Sequence, residues 1–210
     1  DEFELSSNEV IAYATAAGAL YRLPRTSLIH RERMETFMKH WHEEMPFTLN
    51  DSLTEQIFTE KSLFFDIETT GFSAARTSLY LIGCAARKKN LLIVDQFFAE
   101  TPADESDVLH AFLDYLKNFD TIITFNGIGF DIPYLLKRCK AFKLPYDFSG
   151  VSSIDIYKKI KPFRSLLKLE QLKQKSIERF LGIYREDQYH GGQLIDVYRE
   201  YLHTHEKFLF

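Results

Sequence analysis

Two β-forming runs, SLYLIGCAAR (residues 78–87) and LLIVDQFFAE (residues 91–100), are joined only by Lys88-Lys89-Asn90. A link that short closes an antiparallel hairpin and cannot hold a crossover helix. A third run, SLFFDI (residues 62–67), precedes them, again with no helical pattern between. Three consecutive strands exclude a Rossmann arrangement, in which a helix directly follows the first strand. Beyond residue 100 the period changes. Val108, Leu109, Phe112, Leu113 and Leu116 form a helical stripe, opened by Thr101-Pro102 and several acids that suit a helix N-terminus. DTIITF (residues 120–125) reads as a fourth strand, followed by a glycine-containing turn and a helix from Asp131 to Phe142. SSIDIY (residues 152–157) reads as a fifth strand, and two more helices are predicted over 168–181 and 192–203. The order predicts an α/β fold: a mixed five-stranded sheet, made of a three-stranded antiparallel meander plus parallel strands, with helices packed on it.

At 210 residues and 45% apolar content the chain is long and apolar enough for one domain with a full core. The main domain is expected over 61–210. Residues 1–60 are read as an N-terminal extension packing on it, with one helix over 31–44 carrying Met34, Phe37, Met38 and Trp41 on one face. His40 and His42 flank Trp41 and are read as an ordinary surface pair, since they do not share a helix face and no third metal ligand stands nearby in the sequence. Cys84 and Cys139, both in apolar surroundings, do not make a disulfide framework and suggest a reducing compartment. No apolar run reaches the ~20 residues of a membrane helix, and the acidic start DEFELSSNEV is unlike a secretory signal. A cytoplasmic protein with no membrane partner is expected. The sequence does not indicate an oligomeric state.

The sharpest local feature is Asp66-Ile67-Glu68-Thr69-Thr70-Gly71. Alternation along a strand puts Asp66 and Glu68 on one face and Ile67 on the other. Paired carboxylates at the end of an apolar strand repel each other, and a divalent cation relieves that repulsion. Gly71 then allows a sharp turn. The second feature is Phe125-Asn126-Gly127-Ile128-Gly129-Phe130-Asp131, again at a strand end. Asp131 is either a helix cap or a metal ligand. If the two strands are neighbours, three acids converge at one sheet edge, and all-oxygen ligation suits Mg²⁺ or Mn²⁺. Asn126 and the glycines would let a polymer backbone approach closely. Arg138, seven residues beyond Asp131, is a candidate for a phosphate contact or an ion pair.

FDIETTG followed by FNGIGFD resembles the first two motifs of the DEDD (DnaQ-like) 3′–5′ exonucleases, which have the ribonuclease-H-like fold. Within that superfamily the chain is most similar to the YprB-like bacterial proteins. The likeness spans about residues 61–203 and includes YLIGCAAR, QFFAETPADE, ITFNGIGFDIPYLLKR and LEQLKQKSIERFLGIYRED. It implies helices on both sheet faces and a phosphodiesterase in which Asp66, Glu68 and Asp131 hold two divalent ions about 4 Å apart. By the same resemblance, Thr69, Thr70 and Gly71 would lie beneath the terminal nucleotide; Asn126, Gly127 and Arg138 are, from the residues themselves, the further candidates for contact with nucleic acid. The implied substrate is a single-stranded DNA or RNA 3′ end.

One part of the family pattern is missing. The family takes a fourth acid from a late helix, preceded by a Tyr or His. Asp196 is the available acid, but Leu194, Val197, Tyr198 and Tyr201 define the buried face, and Asp196 lies about 200° round from Leu194. Tyr189 and His190 also stand at the wrong spacing before it. The expectation is that this chain stops before its last motif, or that its site is incomplete. The alternative function is therefore a catalytically degenerate nucleic-acid-binding module. The net charge of −4, from 26 Lys and Arg against 30 Asp and Glu, argues against such a partner. It hides a polarity, however: residues 137–179 carry twelve Lys and Arg against four acids, leaving −12 for the remainder. Lys158, Lys159, Lys161, Arg164 and Lys168 beside Tyr157 and Phe163 suit a phosphate backbone with stacked bases, or else a solvated face.

Overall fold

A computed structural model describes residues 40–46 (as backbone), 58–89, 91–184 and 191–206. Its strands are β1 (His40–Pro46), β2 (Ser62–Thr69), β3 (Leu79–Lys88), β4 (Leu91–Phe98), β5 (Thr121–Thr124) and β6 (Ser152–Asp155). The helices are α1 (Glu105–Leu116), α2 (Asp131–Ala141), α3 (Ile156–Ile160), α4 (Arg164–Leu167), α5 (Gln174–Phe180) and α6 (Gly191–Thr204). The strands form one sheet in the order β1-β4-β3-β2-β5-β6. β2, β3 and β4 make the expected antiparallel meander. β5 then pairs parallel to β2, and β6 parallel to β5.

The five expected strands are all present, and β1 is a sixth. It pairs antiparallel with β4 from His40↔Phe97 to Pro46↔Leu91. The helix expected over 31–44 is therefore corrected at its C-terminal end, while residues 31–39 lie outside the described residues. The reason is non-local. The outer side of β4 offers a row of unpaired N–H and C=O groups, and seven residues of β1 satisfy them. The helix expected over 168–181 is also shortened. Lys168 takes a left-handed backbone (φ 52°) that stops α4, and Lys173 is extended (φ −73°, ψ 148°), so α5 starts only at Gln174.

Alternation along β2 divides the core. Leu63, Phe65 and Ile67 face one side, where they pack with Val108, Leu109 and Phe112 of α1, Tyr134, Leu135 and Cys139 of α2, and Tyr198 and Tyr201 of α6. Phe64 faces the other side with Leu92, Ile123, Ile156, Ile160, Leu172 and Ile177. Helices thus cover both faces. Cys84 and Cys139 are buried free thiols. No helix among the described residues is long and apolar enough to cross a membrane.

Phe112 is fully buried, with its ring 5.3 Å from Phe65 and 6.4 Å from Phe97. Phe112→Ala is expected to destabilise the fold by about 3–5 kcal/mol in urea unfolding. A loss below about 1 kcal/mol would show that this layer is not the organising core.

Candidate active site

β2 and β5 run parallel, with Phe64 opposite Ile123, so both chains leave the sheet at the same edge. Two residues beyond Phe64 stands Asp66, exposed, and two further is half-buried Glu68, just before a bulge in the β2–β3 ladder. Beyond the end of β5, residues 125–130 turn back and α2 opens at Asp131. Asp131 is 5% exposed, and its Oδ1 accepts the Ile67 N–H at 3.3 Å. The helix cap is Phe130 rather than Asp131. Of the two readings of this aspartate, capping is therefore not the role its position gives it.

The Asp66 carboxylate lies against Asp131. Burial, the Asp66 charge and a hydrogen bond that only a protonated partner can supply push the Asp131 carboxyl up to about 8. A cation between them would remove that repulsion. Both groups are hard oxygen donors, so the pair fits Mg²⁺ or Mn²⁺ in chemistry. Glu68 is half-buried two residues further along β2. Its charge, after burial, helps hold the Tyr80 phenol well above its ordinary value. As the side chains stand, no three His, Cys, Asp or Glu among the described residues are grouped closely enough to hold an ion.

The hydroxyls expected beneath a nucleotide are engaged within the protein. Thr69 Oγ1 donates to the Gly71 carbonyl at 3.0 Å, and Thr70 Oγ1 accepts the Ser78 N–H at 2.9 Å. Thr77 Oγ1 donates to the Gly71 carbonyl at 2.9 Å, and a Cβ on Gly71 would come within 2.9 Å of the Thr77 methyl. The Tyr134 hydroxyl of α2 donates to the Thr77 carbonyl at 2.9 Å. These contacts tie the 70–78 loop to α2 and leave Phe72 at its tip 91% exposed, edge-on to Phe130 at 6.2 Å. Asn126 is exposed on the second turn with φ +63°, and Gly127 is buried, so close to Thr124 that a Cβ would lie 2.4 Å away.

Arg138 forms an ion pair. Its Nε and Nη2 donate to Glu105 Oε1 and Oε2, each at 2.6 Å, and Nη1 donates to the Ala74 carbonyl at 2.9 Å. Glu105 is fully buried and also accepts the Leu79 N–H at 3.0 Å. The guanidinium is spent as a pin between α1, α2 and the 70–78 loop. Sequence reading missed Glu105, whose partners lie 26 and 33 residues away. It also missed Phe72, for which one signal existed: a bulky apolar residue directly after a turn glycine.

Asp196 projects from α6 to solvent and pairs with Arg199 at 3.0 Å, while Val197, Tyr198 and Tyr201 are buried. Tyr189 and His190 lie outside the described residues. Of the basic residues near Tyr157, Lys158, Lys161 and Lys168 are exposed, Lys161 lies 6.0 Å over the Tyr157 ring, and Arg164 donates to the Leu169 and Glu170 carbonyls.

Two outcomes follow from this geometry. Between about 3.9, the value for an unfolded Asp, and about 8, the folded chain keeps a proton at Asp131 that the unfolded chain has lost. Stability without divalent cations should fall as pH rises through that window. Asp131→Asn should flatten the profile and raise stability at pH 8 by on the order of 1 kcal/mol, read by thermal melts with chelator present. A lower melting temperature for this variant at pH 8 would mean that the carboxylates do not repel. Separately, Arg138→Met leaves Glu105 buried without its partner and should cost about 3–5 kcal/mol. A near-neutral result in the same assay would show that the pair does not pin the loop.

The comparisons with known proteins agree with this architecture. A model for the RNase_H superfamily matches residues 63–209. A DNA polymerase of Pyrococcus glycovorans is 36% identical over 101 residues, 43% of this chain and 13% of the polymerase. One from Thermococcus sp. (strain 9oN-7) is 27% identical over 104 residues, 49% of this chain and again 13% of the polymerase. The chain thus spans about an eighth of the length of these curated relatives. The family B DNA polymerase of the hyperthermophilic archaeon Pyrobaculum calidifontis has a similar fold, with a TM-score of 0.54 at 21% identity, covering 66% of this chain and 21% of the polymerase. The match of the family model over residues 63–209 makes the chain a member of the RNase_H superfamily.

Proposed function

We propose that this chain is a divalent-metal-dependent nuclease of the DEDD type, acting on the 3′ ends of single-stranded DNA or RNA. The observation that carries the reading is the Asp66–Asp131 carboxylate pair, from a strand end and a helix start, with one member buried. Asp66 and Asp131, with Glu68 two residues along the same strand, would hold the ions. Mg²⁺ or Mn²⁺ bound there would supply charge neutralisation and water activation for phosphodiester hydrolysis. The protein's own part is positional. The Ile67 N–H fixes Asp131, the pinned 70–78 loop holds Phe72, and Ile128 on the facing turn is 37% exposed. Apolar and aromatic groups beside the carboxylates suit a stacked terminal base. Two buried free thiols favour a cytoplasmic setting, and the 36% identity to a DNA polymerase supports a nucleic-acid substrate. The finer likeness to the YprB-like branch rests on the motif residues alone.

A second reading, a nucleic-acid-binding module with a degenerate site, is favoured by Asp196, which faces solvent and pairs with Arg199. Digestion of 5′-labelled single-stranded DNA and RNA with Mg²⁺ or Mn²⁺ separates the two. Stepwise shortening by the wild type and loss of at least a hundredfold in Asp66→Asn is the nuclease outcome, in line with the usual weight of electrostatic groups at a reacting centre. Binding without shortening would establish the module instead. Phe72→Ala should weaken binding of single-stranded oligonucleotides by about 1–3 kcal/mol, in fluorescence anisotropy. Unchanged affinity would take Phe72 out of the substrate path.

A further inference from the structure

We propose that Asp155 is the positioning residue of this site: it touches no substrate, and it holds the turn that sets Asp131 against Asp66. The inference uses the nuclease reading only for what the site does, because the geometry it explains is independent of activity.

Asp155 is the last residue of β6, opposite Thr124 at the end of β5, and is 3% exposed. Its Oδ1 accepts the Asn126 N–H at 3.0 Å and the Lys158 N–H at 3.2 Å, and its Oδ2 accepts the Ile128 N–H at 3.1 Å. One bond caps α3. The other two reach across to the 125–130 turn, 27 and 29 residues earlier in the chain.

That turn has a specific backbone shape. Asn126 takes φ +63°, in the left-handed region that most L-residues avoid and Asn enters more readily. Gly127 sits where no Cβ would fit beside Thr124. Within the turn, Gly129 N–H donates to the Asn126 carbonyl at 3.0 Å and Ile132 N–H to the Gly127 carbonyl at 2.9 Å. The Asn126 and Ile128 N–H groups donate instead to the two oxygens of Asp155. Two oxygens on one short, rigid side chain are what this pattern requires. An amide has a single acceptor oxygen and turns an NH₂ donor toward a backbone donor. The turn leads directly into Asp131, whose Oδ1 accepts Ile67 N–H on β2. A continuous path of hydrogen bonds and chain therefore runs from the end of β6, through the turn, to the strand that carries Asp66.

The rival role is a plain helix cap, and the two are separable because serine is as good a cap as aspartate. Asp155→Ser keeps an oxygen for Lys158 N–H but has none to reach Asn126 and Ile128. In the intact chain without added metal, amide hydrogen exchange at Ile67 should quicken at least tenfold in Asp155→Ser and less in Asp155→Asn, both keeping the wild-type circular dichroism spectrum. Mn²⁺ alone, titrated calorimetrically, should bind at least tenfold more weakly in the same order. Ile160→Val, which loosens α3 from within the core, should lower the melting temperature without changing either readout. If Asp155→Ser folds and leaves both Ile67 exchange and Mn²⁺ affinity at wild-type values, Asp155 is a cap and the proposal is overturned. If the wild type fails to cut nucleic acid, the nuclease reading falls, while Ile67 exchange still decides the role of Asp155.

Discussion

β2 is held antiparallel to β3 on one side and parallel to β5 on the other, and this double pairing is what brings two distant carboxylates together. A parallel neighbour carries its chain off the sheet at the same edge, so the segment after β5 must turn back beside the last residues of β2. α2 can then begin with Asp131 near the end of the strand that carries Asp66. Had β5 been antiparallel, its following turn would have opened at the far edge. The interior consequence follows from the same alternation. Ile67 faces the α1–α2 layer, and Phe64 faces the layer containing α3 and α5, so Asp66 and Glu68 fall beyond the second layer.

Around that edge the protein uses buried polar contacts rather than bulk to fix shape. Glu105 and Arg138 join α1, α2, β3 and the 70–78 loop through bonds of 2.6–3.0 Å. A buried ion pair of this kind contributes little net stability against an apolar replacement, but it specifies one arrangement because half of it cannot be left alone. Tyr134 and Thr77 repeat the device on a smaller scale. The two loops that flank the carboxylates are thus held by hydrogen bonds from elements behind them, with their apolar tips facing outward.

Much of this architecture was legible in the chain. The strands announced themselves through apolar β-branched and aromatic runs, and the short link Lys88-Lys89-Asn90 left a hairpin as the only connection between β3 and β4. Alternation alone placed Asp66 and Glu68 on one face, and the glycine-containing turn before Asp131 marked it as the head of a helix. What the chain could not show locally was decided by partners far along it. The 3–4 spacing of Met34, Phe37, Met38 and Trp41 imitates a helix, yet residues 40–46 go to the open edge of β4, because seven ladder partners outweigh local propensity. Arg138 offered no local sign that Glu105 and the Ala74 carbonyl, 33 and 64 residues away, would use its donors. Lys168 shows no glycine-like signal for the left-handed backbone that ends α4.

Among the described residues β1 and β6 stand at the two ends of the sheet, and they differ in a way that bears on how the molecule behaves in company. An unpaired strand end is a template for another chain, and long flat apolar edges invite stacking into aggregates. β6 is only four residues long and begins with two exposed serines, so it offers little length to a second strand. β1 is longer but reads HWHEEMP, with two adjacent glutamates and a terminal proline that has no N–H to give. β1 therefore also closes off the apolar run of β4, LLIVDQFF, which left open would be an adhesive edge. Its sequence is suited to an outer place in the row of described strands.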